Sequence, residues 1–210
     1  MKKIKILPAR EQIALEIKNA ILTGEIPAGS ELIQEKIAET LGVSRMPIRE
    51  AILILERDHF IELVNGRKAI VRTFSEADII EHYELRALLE CECTKKAALS
   101  QNDYTTLVKY HEEMKQAIDV AEFRRINKLF HEHIWELSGG RRIQHMIESL
   151  WDHIPPVVMN IAPDHEIKSI TEHEEIVNGI INGDPTRANE AMKTHIMRSL
   201  HDYLEHKKQA

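Results

Sequence analysis

Residues 41–52 read LGVSRMPIREAI, and this stretch decides how the first third of the chain folds. Gly42 can take the left-handed backbone conformation that a tight turn between two helices requires. Ser44 is a favoured N-cap residue, and Pro47 falls in the first turn of the following helix, where proline is tolerated. Apolar residues then recur at helical spacing as far as about Asp58, which predicts a helix beginning at Arg45.

Two predicted helices precede this turn, over residues 8–22 and 34–41. Apolar residues recur at intervals of three and four in both segments. The small Ala38 lets the second and third helices approach closely, while Val43 and Ile48 fill the corner between them. The pattern predicts a helix-turn-helix.

Two short strands are predicted after the third helix, over residues 60–64 and 69–71. The dipeptide Asn65-Gly66 between them is a strong hairpin signal, and it places Arg67 and Lys68 at the tip. Three helices followed by a basic hairpin make a winged helix-turn-helix.

The winged helix-turn-helix predicts contacts with double-stranded operator DNA. The N-terminal part of the third helix would enter the major groove, where Arg45 and Arg49, one turn apart, reach base edges or phosphates. Ser44 could bind a phosphate, and Gly66 and Arg67 could press the wing against the DNA backbone or minor groove. The alternative is a plain three-helix bundle in which both helix arginines are solvated surface charges.

The stretch 41–52 closely resembles the recognition segment of GntR-family bacterial transcription regulators. Residues 24–29 and Leu32 match the family's short connection into its helix-turn-helix. The resemblance covers the whole first module and implies that Ser44, Arg45, Arg49 and Gly66 contact DNA.

This sequence departs from the family pattern at two positions. Glu35 stands where some members have an arginine that helps to read DNA, and Asn65 stands where a proline-containing wing turn is common. The operator sequence of a relative therefore cannot be transferred to this chain.

Charge is unevenly distributed between the two parts of the chain. Residues 1–73 hold 12 Lys and Arg against 10 Asp and Glu, whereas residues 74–210 hold 16 against 24. Eleven of the 12 histidines lie in the second part. Such asymmetry predicts two domains with different partners, a DNA-binding domain over 1–73 and a second domain over 74–210.

Composition excludes several protein classes. The longest apolar run, residues 51–55, is far too short for a transmembrane helix, and the N-terminus has no signal-peptide core. Cys91 and Cys93 cannot support a disulfide framework. We expect a cytoplasmic protein without membrane contact.

The second part is predicted to be an all-α antiparallel bundle, so the fold class is mainly α. Six helices are expected over residues 75–100, 102–120, 121–138, 141–153, 164–181 and 185–206. Gly183, Asp184 and Pro185 provide a stop, an N-cap and a first helical residue for the last helix. Pro155-Pro156 ends the fourth.

Three histidines in this bundle stand out as possible metal ligands. His131 follows Asn127 by one helical turn, and His173 and His195 lie in two other helices, which is how a bundle builds a metal site in its core. The alternative is that all three are hydrogen-bonded core histidines. Surface or interface roles are expected for six others: His82, His111, His145, His153, His201 and His206.

The second part resembles the helical ligand-binding domain of the FadR subgroup, often called FCD. The resemblance rests on Asn127-x-x-Phe130-His131, Ser138-Gly139-Gly140, Glu172-His173, Gly183-Asp184 and His195. It implies a divalent metal (zinc, nickel or manganese) held by His131, His173 and His195. Asn127 occupies a position that is Asp in the family, so one negative charge is missing and a weaker fourth ligand is expected. His133 is a less suitable alternative ligand, because it points away from the face of His131.

The resemblance also implies a small carboxylate effector beside the metal. Arg86 matches an arginine of the family's first helix and could clamp a carboxylate. The alternative role of Arg86 is a surface ion pair with Glu90, four residues later.

The most consistent function is a homodimeric transcription regulator, expected to be a repressor, whose bundle senses an organic acid through a metal. A metalloenzyme with a three-histidine site and a direct metal sensor are the alternatives. Against an enzyme, the histidine set has no neighbouring general base and no activated nucleophile.

Overall fold

The computed structural model describes residues 7–73, 75–100, 102–153 and 164–209. The backbone divides into two compact units, a first made mainly of residues up to Ser75 and a second made mainly of residues from Glu76 onward. None of the helices in these described ranges is both long and apolar enough to cross a membrane.

The first unit is a three-helix winged helix-turn-helix, as predicted. Buried apolar residues on one face of the third helix, among them Ile48, Ile52 and Leu55, form the centre of its core. Its elements are α1 (Ala9–Leu22), α2 (Gln34–Leu41), α3 (Arg45–Arg57), β1 (Ile61–Val64) and β2 (Lys68–Val71).

The turn between α2 and α3 has the predicted left-handed glycine. Gly42 has φ 65°, and the backbone N–H of Val43 donates to the carbonyl of Ala38 over 3.0 Å. Ser44 occupies the N-cap position of α3 in extended conformation, but its side chain makes no capping hydrogen bond. The predicted N-cap position of Ser44 is confirmed, and its hydroxyl is exposed.

The wing is a two-stranded antiparallel hairpin with a short loop. Asn65 and Gly66 both have positive φ, 53° and 65°, as the hairpin signal predicted. The strand β2 also pairs on its other edge with the segment before α2, where the N–H of Leu32 donates to Ala69 over 2.8 Å. No local pattern predicted this extra pairing, which joins the wing to the segment before α2.

The second unit consists of the six predicted helices. They are α4 (Glu76–Leu99), α5 (Thr105–Lys115), α6 (Val120–Leu137), α7 (Arg141–His153), α8 (His165–Ile181) and α9 (Pro185–Gln209). Helix α4 packs on α6, α8 and α9, and α5 packs on α6 and α8. Helix α5 is shorter at both ends than the predicted 102–120. Phe74 and Pro155-Pro156 lie outside the described residues.

Helices α8 and α9 form a tight hairpin. The Asp184 carboxylate caps α9 by accepting from the backbone N–H groups of Thr186 and Arg187, as its N-cap assignment predicted. A Cβ on Gly179 would lie 2.6 Å from the backbone nitrogen of Ala188, so only glycine permits this approach. His173 and His195 are each eleven residues from Asp184, and the hairpin therefore brings them to the same level.

Candidate metal centre and nucleic-acid interface

Four of the five predicted DNA-contacting residues line one open cleft of the first unit. The cleft lies between the N-terminal end of α3 and the wing, with Arg45 and Arg49 on one side and Gly66 and Arg67 on the other. All four are exposed. Ser44, the fifth, is exposed at the start of α3 and does not line the cleft.

The two arginines of α3 differ in their surroundings. Arg45 forms a 2.8 Å ion pair with Glu35 of α2, and both side chains are exposed. No carboxylate in the described part of the chain pairs with Arg49. A bound phosphate or base would therefore have to displace Glu35 from Arg45, whereas Arg49 is open.

The three histidines singled out in the sequence meet inside the second unit. His131 of α6, His173 of α8 and His195 of α9 are buried, and one ring nitrogen from each lies within 4.8 Å of the others. The Nε2 atoms of His173 and His195 are 3.3 Å apart. The cluster joins three helices at one point in the core.

The orientation of His131 is set by a buried carboxylate of α4. Its Nδ1 lies 2.8 Å from Glu90 Oε2, and neither side chain is exposed. A carboxylate accepts hydrogen bonds, so Nδ1 is the ring nitrogen that donates to Glu90, and Nε2 is the one left for another partner. That Nε2 is buried and has no hydrogen-bond partner.

The orientation of His195 is set in the same way by α8. Its Nδ1 donates to Glu172 Oε2 over 2.8 Å. Glu172 is held in turn by Arg198, which donates to both carboxylate oxygens over 2.7 Å. A carboxylate on Nδ1 is the usual outer partner of a metal-bound histidine, because it fixes the tautomer and makes Nε2 more basic.

Burial keeps two of the imidazoles in their neutral form. It lowers the pKa of His195 to about 4, and the hydrogen bond that His195 donates to Glu172 only partly opposes this shift. Burial lowers the pKa of His173 well below its ordinary value, and the neighbouring His195 and His131 add to the shift. Neutral imidazole is the form that binds metals.

The donor set suits a divalent transition metal. Two nitrogens about 2.1 Å from one ion lie roughly 3–3.5 Å apart, which is the separation of the His173 and His195 Nε2 atoms. Asn127 Oδ1, one turn before His131, is also buried without a hydrogen-bond partner. Buried polar atoms normally have partners, so the unpartnered Asn127 and His131 atoms point to a ligand not supplied by the described side chains.

Arg86 lies within the bundle, not on its surface. Its Nε donates to Glu90 Oε1 over 2.9 Å, and its guanidinium carbon is 4.5 Å from the centre of the Trp151 ring. The ion pair with Glu90 that the spacing suggested is present, but it is buried. Among the described residues, hydrogen bonds engage only the Nε of this guanidinium, which leaves its two terminal nitrogens for a carboxylate.

Two other histidine assignments can be compared with the structure. His133 lies outside the cluster, and its Nδ1 contacts Glu136 Oε2 over 3.1 Å. His111 was expected at the surface, but it is buried in α5 with neither ring nitrogen paired. That expectation was wrong because His111 shares the buried face of α5 with Leu107 and Met114, and α5 packs on α6 and α8.

Three residues that support the histidines were not among the predicted site residues. Glu90 was considered only as a partner of Arg86, and Glu172 only as part of the Glu172-His173 pattern. The Glu172 carboxylate contacts His195 across the α8–α9 hairpin. The signal available for Arg198 was its position one turn after His195.

Both halves of the chain match known protein families. Residues 9–71 match the gntR family of bacterial regulatory proteins, and residues 81–198 match the FCD domain. The chain belongs to the GntR family and carries an FCD domain. It is therefore a DNA-binding transcription regulator.

Proteins that are similar to this GntR-family chain include named transcription regulators. An uncharacterized HTH-type transcriptional regulator, YdhC of Bacillus subtilis, is 27% identical over 97% of this chain and 93% of its own length. The gluconate operon transcriptional repressor of the same species is 35% identical over 70% of this chain and 60% of its own length. The solved structure of E. coli McbR/YncC has the same fold, with a TM-score of 0.74, 22% identity, and coverage of 95% of this chain and 99% of that one.

The buried Arg86–Glu90 pair predicts a large stability effect for Arg86→Met. Removing the guanidinium leaves the Glu90 carboxylate buried without its cation, which we expect to destabilise the fold by about 3–5 kcal/mol. The control is Arg187→Met, which breaks the exposed 2.6 Å pair with Glu175 and should cost about 1 kcal/mol or less. Urea denaturation followed by circular dichroism measures both, and equal costs for the two variants would contradict the prediction.

Proposed function

We propose that this GntR-family regulator is a homodimeric repressor controlled by a small carboxylate that binds beside a divalent metal. Residues 1–73 form the DNA-binding domain, and residues 74–210 bind the metal and effector and supply the dimer contact. One observation supports this most directly. Three buried imidazoles converge, and a carboxylate contacts Nδ1 in two of them. Repression is the proposed sense because the gluconate operon relative is named as a repressor.

In this proposal each subunit places one winged helix in the major groove, so the operator is a two-fold pseudo-palindrome. Arg49 contacts base edges, and Arg45 contacts a base or phosphate after exchanging its Glu35 partner. Ser44 binds a phosphate at the start of α3, while Gly66 and Arg67 contact the DNA backbone or minor groove.

Arg49→Ala is expected to weaken operator binding by about 1–3 kcal/mol if Arg49 contacts a base. The matched control is Arg57→Ala, at the opposite end of α3, where the arginine pairs with Asp58 and does not line the cleft. Binding to an operator mapped upstream of the chain's own gene, measured by fluorescence anisotropy, tests both. Wild-type affinity for Arg49→Ala would exclude the base contact.

The metal in this proposal is held by His131, His173 and His195, with Asn127 as a weak fourth ligand. Three neutral imidazoles and an amide leave the cation its full charge, so its open positions favour an anionic oxygen. Zinc, nickel and manganese are the candidate ions. The metal supplies Lewis acidity and charge for binding, and the chain's own residues orient the histidines.

Changes at Asn127 and His173 test the metal site in opposite directions. Asn127→Asp should bind the ion about tenfold more tightly or better, because a unit charge close to it is worth several kcal/mol even at an effective dielectric of about 20. His173→Ala should lose the ion, whereas His145→Ala, an exposed histidine of α7, should keep it. Elemental analysis and calorimetric titration with zinc, nickel and manganese measure these effects. A wild-type protein that no such ion can load would refute the site.

The effector carboxylate is proposed to bind the metal through one oxygen and Arg86 at its other end. The two unpaired guanidinium nitrogens can form bidentate hydrogen bonds with a second carboxylate or a hydroxyl-bearing group. Sensing also requires the acid to favour one arrangement of the two domains, typically by about 1–3 kcal/mol.

Operator binding titrated with dicarboxylates, hydroxy acids and sugar acids, beginning with gluconate, tests this control. We expect one class to shift DNA affinity about 5–150-fold. Arg86→Lys keeps the charge beside Glu90 but loses the planar fork, so it should weaken the response, and His131→Ala should abolish it. Acids that bind without changing operator affinity would contradict the sensor mechanism. Metal alone giving the full response would favour the direct metal sensor.

A further inference from the structure

Glu90 is the most heavily engaged polar side chain in the described core. Its carboxylate accepts from Arg86 Nε and Trp151 Nε1 on Oε1, both over 2.9 Å. It accepts from His131 Nδ1 over 2.8 Å and from Trp135 Nε1 over 3.4 Å on Oε2. These donors come from α4, α6 and α7, so one carboxylate joins three helices.

Both oxygens of Glu90 act as hydrogen-bond acceptors. Arg86 Nε and the two indole Nε1 atoms can only donate, and between them they reach Oε1 and Oε2. His131 Nδ1 also meets the carboxylate at Oε2. Each partner must point an N–H toward it, which fixes the ring orientation of His131 and of both tryptophans.

We propose that Glu90 is a positioning residue that orients His131 toward the metal and links the metal centre to α7 through Trp151. This inference rests on the proposed metal site but is separate from the ligand set itself. Glu90 does not touch the ion, because its oxygens are occupied by the four donors and it contacts His131 on the ring atom away from the cluster.

The link to α7 runs through three contacts of the Trp151 side chain. The indole donates to Glu90, its ring lies 4.8 Å from the His131 ring, and the Arg86 guanidinium lies over it. His131 and Trp151 share the Glu90 carboxylate, so a shift of the His131 ring on metal binding would change the hydrogen bonds of both. Helix α7 is therefore the element in which we expect a response to the metal.

The second histidine with a carboxylate on Nδ1, His195, distinguishes the proposed role of Glu90 from that of a carboxylate that only orients a histidine. Glu172 holds His195 as Glu90 holds His131, but its hydrogen-bonding partners are His195 and Arg198 and include no tryptophan. Both anchors should matter for metal affinity. Only Glu90 should matter for a signal in the indoles.

The chain offers an internal probe, because its two tryptophans are Trp135 and Trp151, and both donate to Glu90. The experiment titrates the full-length protein with Zn²⁺ against a competing chelator while recording tryptophan emission and near-ultraviolet circular dichroism. The variants are Glu90→Gln, Glu172→Gln and Trp151→Phe. Gln has the same shape as Glu, but its amide NH₂ group is a donor. It therefore faces a donor group from which the carboxylate accepted a hydrogen bond.

Glu90→Gln and Glu172→Gln should each weaken Zn²⁺ binding about 10–100-fold. At saturating Zn²⁺, Glu172→Gln should keep the metal-dependent tryptophan signal of the wild type, and Glu90→Gln should lose it. Wild-type Zn²⁺ affinity in Glu90→Gln would overturn the positioning role. Loss of the signal in both glutamine variants would overturn the specific link to α7.

Two further measurements apply if Glu90→Gln does not fold. Nitrogen-15 spectra of the wild-type histidines should show His131 protonated on Nδ1, and protonation on Nε2 would overturn the proposal. Trp151→Phe should reduce the Zn²⁺-dependent emission change, and an unchanged response would exclude the α7 link. A wild-type protein that binds no Zn²⁺, nickel or manganese would refute the proposed metal site itself. Normal metal binding that does not depend on Glu90 is a different result, because it would overturn only the role of Glu90.

Discussion

The second unit is organised around the hydrogen bond between a buried glutamate and a histidine ring nitrogen. Glu90 and His131 are both fully buried, so the free energy of removing a carboxylate from water has to be offset inside the bundle. Arg86 offsets it by charge, and two indoles and an imidazole offset it by hydrogen bonds. The packing of α4, α6 and α7 is thereby tied to the orientation of one imidazole.

Replacing a buried ion pair with apolar side chains often leaves the free energy of unfolding unchanged or raises it. Stability alone therefore does not account for the Arg86–Glu90 pair. The arrangement does account for a histidine that presents an unpaired Nε2 to two others. The same combination of arginine, glutamate and histidine recurs at Arg198, Glu172 and His195. Two of the three imidazoles thus have Nδ1 engaged by a carboxylate, which is the arrangement that the proposed metal centre would use.

Local patterns explain why much of the fold could be predicted from the sequence. The α2–α3 turn follows from Gly42, the wing from Asn65-Gly66, and the start of α9 from Asp184, because each residue determines backbone geometry within a few positions. The histidine cluster was also predictable, since a resemblance supplied His131, His173 and His195 together. Ser44 likewise occupies the predicted N-cap position of α3, although its side chain makes no capping hydrogen bond.

Residues that act across helices were harder to predict. Glu90 lies 41 positions before His131, and Trp151 lies 61 positions after Glu90, so no spacing in the sequence links them. Burial of His111 and of the Arg86–Glu90 pair likewise depends on which faces of α4 and α5 turn inward. The sequence therefore predicted the clustered histidines better than the carboxylates that contact them.

The central claim is that the three buried imidazoles form a preorganised metal centre. X-ray absorption at the zinc edge, on full-length protein stripped of metal and reloaded with one equivalent of Zn²⁺, tests it most directly. The account predicts a first shell of nitrogen and oxygen atoms with the outer-shell scattering of three imidazoles. A shell with fewer than three imidazoles, or one that contains sulfur, would contradict it.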